Sequence, residues 1–136
     1  MGSSWMCKGL SGGVWHFGFG LSAQELLLRD DGAYRVLDCD VVCRCSGFVD
    51  GSGVVLCDGD VFEDGKSGLW WVVRWVSSMN GFRFMRIGGL CLQESQWRRY
   101  SYSLSGVEMG RRCGVVRVVG SIFDIDSGLG CYSCRL

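Results

Sequence analysis

The chain has 136 residues, 48% of them apolar, and equal numbers of acidic and basic side chains. That content excludes a disordered tail, and the length sets an expectation of one domain or two very small ones. No apolar run approaches the roughly 18–20 residues of a membrane span, and the opening residues 1–10 read as neither signal nor transit peptide.

What is missing is as telling. The chain has no Pro, no Thr and only two Ala (Ala23, Ala33), beside 22 Gly, 9 Cys and 6 Trp. Pro, Thr and Ala codons share a cytosine at the second position. The pattern therefore reads as base bias in the coding DNA, of the kind typical of organelle genomes. The same bias weakens any disulfide-scaffold reading of the cysteines, which fit equally well as small buried hydrophobes.

In chain order, Ser22-Ala23-Gln24-Glu25 matches a capping box. With Leu26, Leu27, Leu28 and Arg29 it predicts a helix that Asp30-Asp31-Gly32 stops. Residues 34–45 are rich in strand formers. Asp50-Gly51 predicts a turn, with residues 54–57 returning as the second arm of a hairpin. Residues 69–79 are ambiguous: bulky and β-branched content favours a strand, whereas Leu69, Val72, Val73 and Val76 fit one helix face. Asn80-Gly81 marks a break. Residues 82–87 read as a strand with Phe82 and Phe84 on one side, and residues 90–97 as a short helix or loop. Two further strands are expected over residues 98–104 and 114–125. The pattern implies an α+β fold, a small mixed or antiparallel sheet with helices packed on one face. The expected division is into residues 1–65, with a helix and a hairpin, and residues 66–136.

Charge is uneven. Residues 1–80 carry six Lys/Arg against ten Asp/Glu, while residues 81–117 carry Arg83, Arg86, Arg98, Arg99, Arg111, Arg112 and Arg117 against Glu94 and Glu108. A basic segment built only from Arg suits phosphate, which the planar guanidinium binds in a bidentate way.

Chemical motifs are few. Gly65-Lys66-Ser67 resembles the end of a P-loop, but Asp60 stands where the pattern needs Gly. Gly65-Lys66-Ser67-Gly68 also fits the GxxG loop of a KH module, but a plain turn better, because Gly is so abundant here. Cys39, Cys43, Cys45 and Cys57, and the pair Cys131 and Cys134, have metal-ligand character without a complete zinc spacing. His16, the sole histidine, lies in an aromatic, Gly-rich stretch. Asp38/Asp40 and Asp58/Asp60 fit solvated turns. No catalytic constellation emerges, so the expectation is a protein that is not an enzyme, with no cofactor and no resident metal.

One resemblance stands out. Arg86-Ile87-Gly88-Gly89, then a segment ending Gln96-Trp97, then Ser105 to Gly114 leading into Val115-Val116-Arg117-Val118-Val119-Gly120-Ser121-Ile122-Phe123, resembles the C-terminal domain of universal small-subunit ribosomal protein three. The match runs over roughly residues 66–125, with Gln96 where the family has Glu. The resemblance implies a helix over residues 70–79 and a divergent mitochondrial form of the family. It implies a structural constituent of the head of the small ribosomal subunit, near the messenger RNA entry side. The arginines from Arg83 to Arg117 would contact small-subunit ribosomal RNA, and Trp70, Trp71 and Trp75 would pack against other small-subunit ribosomal proteins in the mitochondrial matrix. Two other readings stay open: a peripheral, organelle-encoded subunit of a respiratory complex, and a small Cys-based metal-binding protein.

Overall fold

A computed structural model describes residues 6–87 and 93–124. The chain forms two compact units, Met1–Cys45 and Ser46–Leu136. The expected boundary after residue 65 falls inside the second of these units. It would cut between two strands of one ladder, in which Val61, Phe62 and Glu63 pair with Val72, Trp71 and Trp70.

The first unit is all antiparallel strand: β1 (Met6–Ser11), β2 (Val14–Ser22), β3 (Glu25–Asp30), β4 (Ala33–Asp38) and β5 (Val41–Val49), which runs through the unit boundary. The hydrogen-bonded order is β4-β3-β2-β1-β5, with β6 (Val55–Cys57) next to β5. The expected helix over residues 22–29 is absent. Ser22 and Glu25 instead close the β2–β3 hairpin as a pair. The Ser22 hydroxyl accepts from the Gln24 N–H (3.3 Å) and donates to the Glu25 carboxylate (3.2 Å). The residue types that cap a helix also close a tight turn. Asp31-Gly32, read as a helix stop, is the two-residue β3–β4 turn, with φ of 50° and 81°. Positive φ at both positions matches the strand twist and explains the Asp-Gly pair.

Gly9, Gly18 and Gly20 give the inner face its shape. A Cβ at Gly9 would lie 2.5 Å from Cys39 Sγ, and one at Gly20 would lie 2.7 Å from Cys7 Sγ. The bare backbone admits the small core of Cys7, Leu26, Leu28 and Cys39, with Leu37 and Val42 against it.

The second unit is built on a five-stranded antiparallel sheet, in the order β10-β9-β8-β7-β11. Its strands are β7 (Asp60–Asp64), β8 (Trp70–Val76), β9 (Gly81–Arg86), β10 (Tyr102–Ser103) and β11 (Val116–Ser121). Two short helices, α1 (Glu94–Tyr100) and α2 (Gly106–Arg112), flank β10 in the chain. Strand makes up 58% and helix 15% of the structure, so the α+β expectation is corrected to a mostly antiparallel β fold with two sheets.

Strand β8 explains much of that correction. The resemblance made residues 70–79 helical, yet Trp70–Val76 form the central strand, paired with β7 and β9. A strand buried on both faces reads as one continuous apolar run, to which a helical period also fits. Trp71 and Val73 face a cluster with Leu56, Phe62, Phe84, Leu104, Cys113 and Val116. Val72 and Val76 face a second cluster with Val61, Met85 and Trp97. Trp97 brings α1 to one face, and Met109 brings α2 to the other. The helices thus pack on opposite faces, not on one.

The expected strand over residues 98–104 shrinks to Tyr102–Ser103, because residues 98–100 complete α1. That helix starts from a capping box in which the Gln96 side chain accepts from the Gln93 N–H at 3.0 Å. Helix α2 starts at Ser105, whose side chain accepts from the Glu108 N–H. The break at Asn80 and the strand carrying Phe82 and Phe84 appear where the sequence predicts them, and the strand expected over residues 114–125 is shorter, Val116–Ser121.

Buried carboxylates tie the loops to β11. Asp50 accepts from the Ser52 and Val54 N–H groups (both 2.8 Å) and, across the sheet, from the Val118 N–H (2.9 Å). Burial raises its pKa, but those N–H groups, with that of Gly53, hold it below the usual carboxylate range. Asp64 accepts from the Lys66 and Gly114 N–H groups (both 2.9 Å) and the Ser67 hydroxyl (2.8 Å). The Lys66 and Gly114 bonds lower its pKa against the opposing effect of burial.

Candidate nucleic-acid interface

The topology sorts the seven arginines. Six lie on β9, α1 and α2, the elements at the β10 end of the sheet; Arg117 lies on β11, at the opposite edge. The elements β9, α1, β10 and α2 carry only Glu94 and Glu108 as acids. This end is therefore strongly basic in a chain of zero net charge.

The six are not equivalent. Arg83 is half-buried and spends its donors on Ser101: Nε reaches the hydroxyl at 2.8 Å and Nη2 the carbonyl at 2.7 Å. Burial lowers its pKa, against the pull of Glu108, but a guanidinium stays charged. Arg83 is thus a strut that holds the end of α1 to β9. It also faces Arg74 directly across the strands, and Asp58 neutralises that neighbour at 2.8 Å.

Arg98 and Arg99 sit in the last turn of α1, and Arg111 and Arg112 in the last turn of α2. All four are exposed, as is Arg86. Cations are favoured at helix C-termini, which explains how such doublets are tolerated. Arg98 reaches the Ser78 carbonyl at 3.4 Å. Arg111 and Arg112 share Glu108 at 3.4 and 3.3 Å. Exposed pairs of this length contribute about 0–1 kcal/mol, so exchanging Glu108 for a phosphate costs little. Arg117, by contrast, pairs with Glu63 at 3.5 Å, and Glu63 also accepts from Trp70 Nε1 at 3.1 Å.

Aromatic rings underlie the basic end. The Arg112 guanidinium lies 4.1 Å from the Tyr102 ring centroid, and that of Arg86 lies 5.7 Å from Trp71. Trp71, Phe84 and Tyr102 contact one another with centroids 5.4–6.2 Å apart.

Of the tryptophans expected at a protein interface, Trp70 and Trp75 are half-buried. Trp71 is 7% exposed and belongs to the core. Trp70 packs against the second cluster, and Trp75 meets Phe82 edge-on at 5.0 Å. The exposed apolar surface that the sequence reading missed lies on the first unit. Val36, Leu27, Phe19 and Met6 form a cross-strand row from β4 to β1. Three of the four are exposed, and so are Phe17, Leu21 and Tyr34. The signal was legible in β2, where Trp15, Phe17, Phe19 and Leu21 alternate with small or polar residues.

The other motifs have structural employment. The loop Gly65-Lys66-Ser67-Gly68 is the β7–β8 turn, and three of its N–H groups are already engaged: Lys66 donates to the Asp64 carboxylate, Gly65 to the Val115 carbonyl and Gly68 to the Asp64 carbonyl. Asp58 accepts from Arg74 and the Trp75 N–H, and Asp60 accepts from the Cys57 N–H. His16 is half-buried on β2 opposite Gly9. Cys39 packs with Cys7, whereas Cys43 pairs with Lys8 on the other face of β1. Among the described residues no three His, Cys, Asp or Glu side chains gather to hold a metal. Burial raises the thiol pKa values of Cys7, Cys39 and Cys113, the last to about 11 with help from nearby Asp64. Gly88, Gly89, Cys131 and Cys134 lie outside the described residues. Among the described residues, no helix is long and apolar enough to cross a membrane.

Comparison with known proteins gives no match: no family model, no curated protein and no solved structure is similar to the chain.

Proposed function

We propose that this protein is a non-enzymatic, RNA-binding structural constituent of the mitochondrial small ribosomal subunit. The observation that carries the reading is the basic end of the five-stranded sheet, where five exposed arginines lie on β9, α1 and α2 with Glu94 and Glu108 as the only acids. Phosphate neutralisation supplies most of the affinity of such surfaces. Zero net charge suits a protein that meets RNA on one side and proteins on others. The exposed row from Met6 to Val36 on the first unit fits neighbouring ribosomal proteins better than Trp71 does. The codon-level bias of the composition supports synthesis inside the organelle.

The resemblance to small-subunit ribosomal protein three supports this reading less than the charge pattern does, because Trp70–Val76, within the helix it implies over residues 70–79, form a strand. A position near the messenger RNA entry side rests on that resemblance alone and is left out of the proposal. Sedimentation of a mitochondrial extract tests the reading. The protein is expected to travel with small-subunit ribosomal RNA and to leave that fraction after ribonuclease treatment. Recovery in a respiratory complex, indifferent to ribonuclease, contradicts it.

A further inference from the structure

We infer that the basic end of the second unit grips the sugar–phosphate backbone of base-paired RNA, and does not bind unpaired bases. This inference rests on the RNA-binding reading above. Recognition of unpaired RNA depends on open aromatic faces on which bases stack. Here the rings are withdrawn. Phe84 is fully buried, and Trp71 and Trp97 are 7% and 6% exposed. Tyr102 is half-buried, and the Arg112 guanidinium covers it at 4.1 Å. Tyr100 alone among the rings of β9, α1 and β10 is exposed, with Arg99 6.0 Å from its centroid.

The cations have the opposite disposition. Arg98 and Arg99 project from the last turn of one helix, and Arg111 and Arg112 from the last turn of another. The four are exposed, and the acids paired with them are exchangeable at small cost. Such a surface reads charge density and backbone geometry, not base edges. Base-paired RNA hides its bases and presents phosphates more densely than a single strand. Duplexes show a steeper salt dependence per neutralised phosphate than single strands, roughly 0.9 for duplex DNA against 0.7.

Fluorescence anisotropy with the full chain tests the inference. The probes are a labelled RNA hairpin of about 16 base pairs, a hairpin of shuffled sequence, and an unpaired oligouridine of equal nucleotide number. Both hairpins are expected to bind alike and about tenfold more tightly than oligouridine. The double substitutions Arg98→Gln/Arg99→Gln and Arg111→Gln/Arg112→Gln should each lower the salt slope by about 1–2. Tyr100→Ala and Arg117→Gln should leave binding unchanged. Circular dichroism of each variant separates lost contacts from lost structure, and the exposed Arg98/Arg99 pair gives a variant that leaves the core intact. Equal or tighter binding of oligouridine, weakened by Tyr100→Ala, overturns the inference while RNA binding stands. Absence of binding to all three probes at low salt overturns both.

Discussion

The two units use apolar residues in opposite ways. In the first, β2 turns Phe17, Phe19 and Leu21 outward and keeps Gly18 and Gly20 on the inner face, so the cluster on that face is four small or medium side chains, Cys7, Leu26, Leu28 and Cys39. In the second, β8 buries large side chains on both faces, and one cluster alone holds eight buried residues, three of them aromatic. Fully burying a large apolar side chain stabilises a fold by about 1.5–3 kcal/mol. The second unit therefore has the means to hold itself together. The first draws little from its own core and exposes what a partner could cover. The comparison teaches that high apolar content does not by itself make a core; the side of the strand on which the large residues fall decides that.

Removing the centre of the aromatic core has the largest expected effect. Trp71→Ala or Phe84→Ala should destabilise the second unit by about 3–5 kcal/mol, measured by urea denaturation followed through tryptophan fluorescence or far-ultraviolet circular dichroism. A loss under 1 kcal/mol would erase the contrast between the units. Next is Asp64→Asn, which removes the charge from two backbone bonds and one hydroxyl bond. The expected loss is about 1.5–3 kcal/mol.

The same carboxylates set a pH dependence. Asp50 and Asp64 have folded pKa values below the unfolded ones, so their contribution is complete above about pH 4. It is lost as pH falls through the lowered folded values. Urea midpoints should thus fall below pH 4 in the parent, and fall less steeply in Asp64→Asn. A Cβ at Gly18 would press on the Leu27 carbonyl and on Leu26 and Leu28. Gly18→Ala should therefore cost the first unit about 1–3 kcal/mol, read as lost amide protection in residues 6–45 with the second unit unchanged. The smallest expected effect is at the exposed row: Phe17→Ser with Phe19→Ser should change stability by about 0.5 kcal/mol or less while reducing self-association in light scattering.

Legibility followed the same divide. Turns were readable, as at Asp50-Gly51, where the Asp50 carboxylate accepts from the Ser52 N–H, and at Asn80, whose φ is 49°. The strand after the Asn80-Gly81 break was readable too, as β9 with Phe82 and Phe84 on one side. The capping-box pattern at Ser22 misled because its hydrogen bonds also close a two-residue turn. Residues 70–76 misled because apolar residues on both faces of a strand also fit a helical period, and the pairing with β7 and β9 decides the matter from outside the segment. The arginine segment was visible as charge. The division of labour within it was not: Arg83 is fixed by Ser101 and Arg117 by Glu63, from elements distant in the chain.

Crosslinking of the native complex, with mass spectrometry to locate the modified residues, tests the central claim most directly. The account predicts small-subunit ribosomal RNA attached within residues 86–112, around Arg98–Arg99 and Arg111–Arg112, with none at Arg117. RNA crosslinks confined to the first unit, or a native complex containing no RNA, would contradict it.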